Sequence, residues 1–375
     1  MAVKKKSKRT KNKVVHHTPP GTSPGTIVVA DDASKPKLIL YGYNTEVFET
    51  IADISINTAV TLIKANPAHN YWLQIKGIGD KQLLETISSA FGIHPLEMED
   101  VTKLYQRPKF EEHQSHLFII ARLLGRSEEG LLQNDQLSVF CGNNFVITLQ
   151  ANYDSVFEVI VNRLKAGRGM MRTAGSGYLT YAINDAIVDS YFPLLEKMGD
   201  ALDELEDELL TKPTKLSMEK IQIIKRDLIL FRRAAFAERD KVNDILRSHN
   251  DFINVSVSPY LKDTYDHIIQ VLDMVDSYKE ITASLMDIYV SSMSNKLNIV
   301  MKIMTVFSAV FMPLTFIVGL YGMNFANQNP VTGKLLPLNM PELYSPYGYI
   351  GCIVGMFLIV AVELWYFTRK GWLSN

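Results

Sequence analysis

Small and polar side chains recur at alternating intervals of three and four residues through residues 259–324. We call this series the polar stripe. Its members are Asp263, Asp266, Gln270, Asp273, Ser277, Glu280, Ser284, Asp287, Ser291, Ser294, Asn298, Met301, Thr305, Ser308, Met312, Thr315, Gly319 and Gly322. A repeat of about 3.5 residues is that of coiled coils, so the stripe can face one axis along a whole helix. At about 1.5 Å per residue, that helix would be roughly 90 Å long.

The C-terminal half of the polar stripe runs through the first of two apolar segments, residues 300–321 and 347–367. Each is close to the ~20 residues that a bilayer core requires, and neighbouring helices can absorb the kink at Pro313. Polar residues on a membrane-crossing helix are costly unless they face water or protein. The pattern therefore favours an oligomer of such helices around a shared axis, with an ion path between them.

Two other interpretations of the polar stripe stay open on the sequence. Over residues 263–294, taken alone, a solvated helix face explains the pattern about equally well. The hydroxyl residues Thr305, Ser308 and Thr315 also suit ordinary helix packing within a membrane. The ion path is favoured because the stripe keeps one phase from the polar part of the chain into the apolar part.

Charge is unevenly distributed although the formal net charge is −1. Residues 4–13 are rich in Lys and Arg with no apolar run after them, which predicts a cytoplasmic tail near anionic lipid and not a secretory signal. Lys296 and Lys302 border the first apolar segment, and Arg369 and Lys370 follow the second. The positive-inside rule therefore places both termini in the cytoplasm. The two cysteines imply no disulfide framework.

The sequence predicts an α/β N-terminal cytoplasmic domain followed by long helices and two transmembrane helices. The predicted units are a basic disordered tail and linker (1–26), the α/β domain (27–170), a helical hairpin (171–257), a stalk and pore-lining helix (258–322), an outer loop (323–346), the second transmembrane helix (347–367) and a cytoplasmic tail (368–375). Alternation and turn signals predict strands at 37–43, 71–75, 116–124, 136–141 and 145–149. Helical spacing predicts helices at 80–91, 155–165, 178–210 and 216–247.

Motifs typical of enzymes are missing from the sequence. Gly77-Ile78-Gly79 lacks the third glycine of a dinucleotide-binding loop. His113 and His116 lie three residues apart with no cysteine nearby, which weighs against zinc. There is no nucleophile elbow, P-loop or metalloprotease motif. We therefore expect neither an enzyme nor a nucleic-acid-binding protein.

A short signature, Tyr321-Gly322-Met323-Asn324-Phe325, closes the polar stripe. With a second span just before the C-terminus, it resembles the CorA family of magnesium channels. Further similar stretches are Phe311-Met312-Pro313-Leu314-Thr315-Phe316, Ser294-Asn295-Lys296, Tyr265-Asp266-His267, Gly92-Ile93-His94-Pro95-Leu96 and Met340-Pro341-Glu342-Leu343. The resemblance implies a homopentameric funnel in the inner (plasma) membrane that admits Mg²⁺ and is gated by cytoplasmic Mg²⁺. The loop at 326–339 is longer than the family's.

The resemblance also implies roles for individual residues. The selectivity mouth would consist of Gly322, Met323 and Asn324. The pore lining would consist of Asp287, Asn298, Met301, Thr305, Ser308, Met312, Thr315 and Gly319. A regulatory Mg²⁺ would bind between Asp100 of one protomer and Asp263 of its neighbour, and an adjacent second site would draw on Glu99, Asp185, Asp266 and His267.

Two alternative functions remain at this point. The same scaffold could carry Zn²⁺, Co²⁺ or Ni²⁺, although the methionine of Gly-Met-Asn favours Mg²⁺. A membrane-anchored coiled-coil scaffold that conducts no ion would also explain the long helix.

Overall fold

The computed structural model describes residues 21, 23–30, 32–127, 130–152, 157–248 and 250–372. The predicted basic tail and its contact with lipid lie outside these residues. The chain divides into two compact units, which we call the first and second units. The first unit spans Met1–Glu208 and Lys215–Leu285, and the second spans Leu209–Thr214 and Met286–Asn375.

A seven-stranded sheet forms the centre of the first unit. The elements of this α/β part are β1 (Lys37–Tyr43), β2 (Phe48–Ala52), α1 (Ile56–Ala65), β3 (Asn70–Lys76), α2 (Lys81–Phe91), α3 (Pro95–Thr102), β4 (Lys109–Glu112), β5 (Leu117–Arg126), β6 (Leu132–Cys141), β7 (Phe145–Gln150) and α4 (Glu158–Ala166). Their spatial order is β2-β1-β3-β7-β6-β5-β4. β3 and β7 are parallel, and the other neighbouring strands are antiparallel. The predicted strands are confirmed to within a few residues, whereas β2, α1 and β4 were not predicted.

Capping residues set the ends of α2 and the start of α3. The Asp80 carboxylate accepts a hydrogen bond from the Leu83 N–H at 3.1 Å, as the sequence predicted. Gly92 ends α2 with a left-handed φ of 66°, which glycine adopts without a Cβ clash. The His94 N–H then donates to Glu97 Oε2 at 2.8 Å in a capping box. These contacts fix the direction in which α3 presents its carboxylates.

Helices cover both faces of the sheet. Three further helices follow α4, namely α5 (Gly175–Asp189), α6 (Tyr191–Thr211) and α7 (Lys215–Arg247). On one face, Leu73 and Ile75 of β3 are buried in a cluster with Ile87 of α2 and Met98 of α3. On the other face, Trp72 of β3 contacts Phe157, the residue immediately before α4, with ring centroids 6.1 Å apart. The first unit is therefore a layered α/β structure, with successive β3 residues pointing to opposite faces.

The single helix predicted over residues 178–210 is wrong, because the structure divides it into α5 and α6 at Ser190. Pro193 lies three residues beyond this break. Proline has no N–H to donate, and its ring crowds the carbonyl group four residues earlier, here that of Asp189. The break therefore follows from a proline that the helical spacing did not take into account.

A buried ion pair ties α7 to the sheet and to α5. Lys241 Nζ contacts Glu238 Oε2, and both side chains have no exposed surface. Lys241 Nζ also donates to Asn184 Oδ1 of α5 at 2.7 Å. Glu238 Oε1 accepts the Arg122 N–H of β5 at 2.7 Å. Each charge therefore has several partners, which a buried ion pair needs in order not to destabilise the fold.

Lys241→Met should destabilise the first unit, because it leaves the Glu238 carboxylate buried without its cation. We expect a loss of about 3 kcal/mol in the free energy of unfolding, or roughly 6–12 °C in Tm for a unit of this size. Thermal unfolding of the full chain in detergent measures it. Lys220→Met is the matched control, because Lys220 pairs with Glu208 at the surface and its side chain is 49% exposed. A Lys241→Met protein as stable as this control would contradict the prediction.

Two long apolar helices follow in the chain. Helix α8 (Ser258–Tyr321) is continuous over 64 residues, begins in the first unit and ends in the second. Helix α9 (Gly348–Arg369) lies in the second unit. Both contain a segment long and apolar enough to cross a membrane. The predicted stalk, with Pro259 in its first turn and Pro313 inside it, is confirmed as one helix.

Candidate functional site

The first-unit part of the polar stripe lies on the solvent-facing side of α8. Its members are all exposed: Asp263, Asp266, Gln270, Asp273, Ser277, Glu280 and Ser284. A second series on the same helix is buried: Leu261, Thr264, Ile268, Val271, Leu272, Val275, Thr282 and Leu285. The two series are offset by one or two residues, which is about 150° around the helix at ~100° per residue. The helix therefore packs on its own unit with the face opposite the stripe.

The second-unit part of the polar stripe is exposed as well. Its exposed members are Asp287, Ser291, Ser294, Asn298, Met301, Thr305, Ser308, Met312, Thr315 and Gly319. The Thr305 hydroxyl donates to the Met301 carbonyl at 2.8 Å, and the Thr315 hydroxyl donates to the Phe311 carbonyl at 2.7 Å. Because each hydroxyl hydrogen is engaged with the helix, the oxygen lone pairs remain available. These threonines can therefore accept hydrogen bonds from water.

Two methionines interrupt the polar surface of this stripe. Met301 is 61% exposed and Met312 is 70% exposed. A shallow groove beside Asn298, Met301 and Thr305 is also lined by Trp372, which follows α9. Rings of apolar side chains can narrow a pore and expel water from it. The methionines are thus the stripe residues suited to a constriction.

The signature after α8 lies at an exposed helix end. Gly322, Met323 and Asn324 are all exposed. The Gly322 N–H donates to the Val318 carbonyl at 2.9 Å, so this residue continues the hydrogen bonding of the helix. Gly322 is not among the glycines with positive φ in the described chain, and it therefore does not form the left-handed cap that often ends a helix. A Cβ at this position would lie 3.2 Å from the Val318 oxygen, a tight contact that glycine avoids.

The long outer loop closes on itself. The Asn339 side chain donates to the Ala326 carbonyl at 2.9 Å, which joins the two ends of the additional segment. Between them, the Leu336 N–H donates to the Asn327 carbonyl at 2.7 Å. Glu342 follows in a short exposed helical turn, Pro341–Tyr344. The two ends of the additional segment therefore lie next to each other, and Glu342 follows shortly after it in the chain.

Carboxylates and a histidine meet between α5 and α8. His267 Nδ1 lies 3.2 Å from Asp189 Oδ1, and His267 Nε2 lies 3.9 Å from Asp263 Oδ2. Asp185 Oδ1 accepts a hydrogen bond from the Thr264 hydroxyl at 2.9 Å. Ligand atoms of Asp185, Asp189 and His267 all lie within 4.8 Å of one another. We call these three residues the α5–α8 cluster.

Burial raises the pKa of the Asp185 carboxyl, and the nearby Asp189 raises it further, although Thr264, Tyr181 and His267 oppose the shift. The raised pKa means that charge at this carboxylate is unfavourable in the protein as it stands. A divalent cation would relieve both the burial and the repulsion, because it stabilises the ionised form. The α5–α8 cluster is therefore able to hold a cation.

Sequence reasoning named Asp185, Asp263 and His267 but missed Asp189. The signal was present, since Asp185 and Asp189 are four residues apart and share one face of α5. Asp266 was named for the same region, and it lies on the exposed stripe next to His267.

Two carboxylates of α3, Asp100 and Glu99, already have cationic partners within the chain. Asp100 Oδ2 is 2.7 Å from Lys109 Nζ, and Asp100 Oδ1 accepts from the Gln106 side chain at 2.6 Å. Glu99 Oε1 is 2.6 Å from Lys103 Nζ, and that hydrogen bond lowers the pKa of Glu99. A metal at either carboxylate would have to share it with a lysine.

Comparison with known proteins identifies the family. A family model described as CorA-like Mg2+ transporter protein matches residues 67–369. The chain is 33% identical to the cobalt/magnesium transport protein CorA of Thermotoga maritima over 355 residues, which are 94% of this chain and 97% of that protein. The chain belongs to the CorA family.

Other CorA relatives agree with this assignment and mark its breadth. The CorA magnesium transporter of Methanocaldococcus jannaschii has the same fold, with a TM-score of 0.73, 24% identity and coverage of 93% of this chain and 100% of that one. The zinc transport protein ZntB of Yersinia pseudotuberculosis is 22% identical over 238 residues, covering 63% of this chain and 68% of that protein. Relatives of this chain therefore include transporters of different metals.

Membership of the CorA family establishes the class of function. The chain is a divalent cation transporter with two candidate membrane helices and is not an enzyme. The predicted α/β domain, long helix and two apolar C-terminal helices agree with the CorA fold. The resemblance seen at Gly322-Met323-Asn324 is thereby confirmed.

Proposed function

We propose that this protein is a homopentameric channel that admits Mg²⁺ down its electrochemical gradient. The polar stripes of the protomers would surround a water-filled path across the inner (plasma) membrane, with both termini in the cytoplasm. The observation that carries this proposal is the exposed stripe on α8, whose opposite face packs on its own unit over residues 261–285. A helix that leaves its polar face uncovered over so many turns is suited to an axis shared with identical helices.

The proposed mouth suits an ion that keeps its water. Mg²⁺ prefers octahedral oxygen ligands and loses its waters reluctantly. The waters around the ion donate hydrogen bonds, so the mouth must accept them. Asn324 offers a side-chain carbonyl and Gly322 a backbone carbonyl, repeated around the axis. Inside, the Thr305 and Thr315 oxygens would accept from the same water shell, because their hydrogens are bonded to the helix.

The membrane potential supplies the driving force in this proposal. Each elementary charge gains about 2.3 kcal/mol per 100 mV, so a divalent ion gains roughly twice that. Glu342 near the mouth would attract cations, and Met301 and Met312 would form the constriction that closes the path. No nucleotide-binding site is needed for influx.

Regulation would act through carboxylates at protomer boundaries. We place one regulatory Mg²⁺ between Asp100 and the Asp263 of a neighbouring protomer. A second would use the α5–α8 cluster, with Glu99 and Asp266 as further carboxylates. Without a cation these groups repel one another, and with it they hold the protomers together. Loss of cytoplasmic Mg²⁺ would then loosen the assembly and open the path.

Lys109 should compete with regulatory Mg²⁺, because it already binds Asp100 at 2.7 Å. Lys109→Met keeps an unbranched side chain and removes the charged Nζ, which lies 5.1 Å from the centre of the Phe118 ring. We expect the Mg²⁺ concentration that half-protects the protein from protease to fall about fivefold, which corresponds to ~1 kcal/mol for a partly buried pair. Lys81→Met, which breaks an exposed pair with Glu85, should leave it unchanged. A higher Mg²⁺ requirement in Lys109→Met would contradict a ligand role for Asp100.

Ion flux into liposomes containing the purified protein tests the proposed function. We expect a membrane potential that is negative inside the liposomes to drive Mg²⁺ uptake, and this uptake should exceed the uptake of Zn²⁺. Preferential uptake of Zn²⁺, Co²⁺ or Ni²⁺ would assign the scaffold to another ion. Absence of any flux, with the oligomer intact, would support a non-conducting scaffold and overturn the proposal.

A further inference from the structure

Two histidines and a glutamate converge between α3 and the β4–β5 hairpin. His113 Nε2 lies 3.1 Å from Glu97 Oε1, and His116 Nε2 lies 2.9 Å from the same oxygen. The two imidazole rings stack with centroids 5.1 Å apart. Ligand atoms of the three residues all lie within 4.8 Å of one another. These separations are close to the ~3.3 Å between neighbouring ligands of a tetrahedral ion with bonds of about 2.0 Å.

The surrounding structure holds each of these side chains in place. The His113 N–H donates to the His116 carbonyl at 3.0 Å, which closes the hairpin and puts both rings on one side. Glu97 Oε2 accepts the His94 N–H at 2.8 Å, so Oε1 is left facing the histidines. His116 Nδ1 is 2.9 Å from the Ser115 hydroxyl, so its other ring nitrogen has a partner. A histidine that ligates a metal commonly has such a partner at its second nitrogen.

Hydrogen bonding does not fully account for this arrangement. His113 Nε2 is buried and makes no aligned hydrogen bond, although the Glu97 oxygen is nearby. Buried polar atoms are normally paired, and an unpaired one calls for an explanation. The His116 and Glu97 side chains are only 1% and 4% exposed, whereas that of His113 is 38% exposed. An ion could therefore enter past His113 and reach a buried pair of ligands.

The charge of the cluster also suits a metal. Burial works to raise the pKa of Glu97, but hydrogen bonds from His116 and the His94 backbone and the proximity of both histidines outweigh it, so the pKa is lowered. Glu111 Oε2, 3.8 Å from His113 Nε2, is available as a fourth ligand, and water is the other choice.

We propose that Glu97, His113 and His116 form a transition-metal site that takes Zn²⁺ or Co²⁺ in preference to Mg²⁺. Imidazole ligands suit Zn²⁺ and Co²⁺, whereas Mg²⁺ prefers an all-oxygen shell. Bound metal would fasten α3 to the β4–β5 hairpin. The site uses none of the residues assigned to the proposed ion path, so the proposal does not depend on the direction or identity of the transported ion.

Co²⁺ spectroscopy on the full chain in detergent, with excess Mg²⁺ to occupy oxygen sites, tests this proposal. The wild-type chain should bind Co²⁺ with visible absorption bands of a four- or five-coordinate ion, and Zn²⁺ should displace it. His113→Ala, which keeps the backbone hydrogen bond of the hairpin, should weaken binding at least about tenfold. His69→Ala, at a histidine paired with Asn44 elsewhere in the unit, should bind as the wild type does.

A second variant separates coordination from a structural role. His113→Cys should add an intense near-ultraviolet band from thiolate-to-cobalt charge transfer, which neither Cys141 nor Cys352 gives in the wild-type chain. The proposal is overturned if the wild-type chain takes up no Co²⁺ in excess Mg²⁺. It is equally overturned if His113→Ala binds Co²⁺ unchanged, or if His113→Cys shows no such band. None of these outcomes would alter the expected Mg²⁺ flux.

Discussion

Asn324→Ala should reduce Mg²⁺ uptake into liposomes by at least about tenfold while the oligomer keeps its size. The side-chain carbonyl would accept a hydrogen bond from a water of the hydrated ion, and each protomer would lose one such acceptor. A hydrogen bond to a charged group contributes about 1.5–3 kcal/mol, and every ~1.4 kcal/mol corresponds to a factor of ten. The measurement is uptake by the purified protein, with light scattering on the same sample to give the size of the assembly.

Gln328→Ala is the control for this prediction. Gln328 is an exposed amide residue in the same loop, within the segment closed by Asn339 and Ala326. Its removal should leave uptake unchanged, because it lies outside the proposed mouth. Normal uptake by Asn324→Ala would remove the assignment of the mouth to this residue, whereas equal losses in both variants would point to the loop as a whole.

The Asp263→Ala variant should lose most of its Mg²⁺-dependent protection from protease. Asp263 is exposed in the single chain, with a side chain 67% accessible, and its Oδ2 lies 3.9 Å from His267 Nε2. A carboxylate placed in this way is free to bind a cation shared with another protomer. We expect the Mg²⁺ concentration needed for half-protection to rise about tenfold or more, as the removal of a direct ligand implies. Limited proteolysis across a Mg²⁺ titration measures this change.

Asp273→Ala provides the matched comparison for Asp263→Ala. Asp273 is another exposed carboxylate of the polar stripe on α8, and its removal changes the net charge equally. Its half-protection concentration should stay close to that of the wild-type chain. A similar shift in both variants would indicate a general charge effect, and an unchanged Asp263→Ala protein would argue against a bridging cation.

Local sequence patterns predicted much of the fold, because helix capping and side-chain periodicity depend on residues that are close together in the chain. Asp80 and Gly92 bound α2 where their capping chemistry indicates. The side chains that share the polar face of α8 could also be predicted, because a repeat of about 3.5 residues on a straight helix fixes which side chains lie on one face. Over residues 261–285 of α8, the exposed and buried series follow this repeat.

Other features depend on contacts between distant parts of the chain. Strand β4 lies at the edge of the sheet and is held by its pairing with β5, for example Phe110 with Ile119. To predict the break at Ser190, the effect of Pro193 has to be weighed against a helical pattern that continues through it. A short edge strand and a single proline alter the periodic pattern of side chains too little to be recognised from that pattern.

Site chemistry was the hardest part to predict for the same reason. The pairing of His113 and His116 with Glu97 joins a hairpin to a helix that precedes it. In the sequence alone, the histidine spacing and the lack of a nearby cysteine weighed against zinc. The partnership of Asp100 with Lys109 likewise depends on the fold. These groups are separated along the chain, and only the folding of the first unit brings their atoms together.

In the proposed channel, the polar stripe of α8 faces a water-filled path shared by the protomers. Single cysteines at Ser308 and Thr315 on the stripe can be compared with single cysteines at Phe307 and Phe316, in a chain carrying Cys352→Ala. The two phenylalanines are 63% and 70% exposed in the single chain, so assembly alone would distinguish them from the stripe.

A charged, water-soluble thiol reagent applied to Mg²⁺-loaded liposomes makes this measurement. We expect the cysteines at Ser308 and Thr315 to react and to block Mg²⁺ flux, and those at Phe307 and Phe316 to stay unreactive in lipid. Reaction at the phenylalanine positions with protected stripe positions would contradict the account, because the polar faces would then not enclose the path.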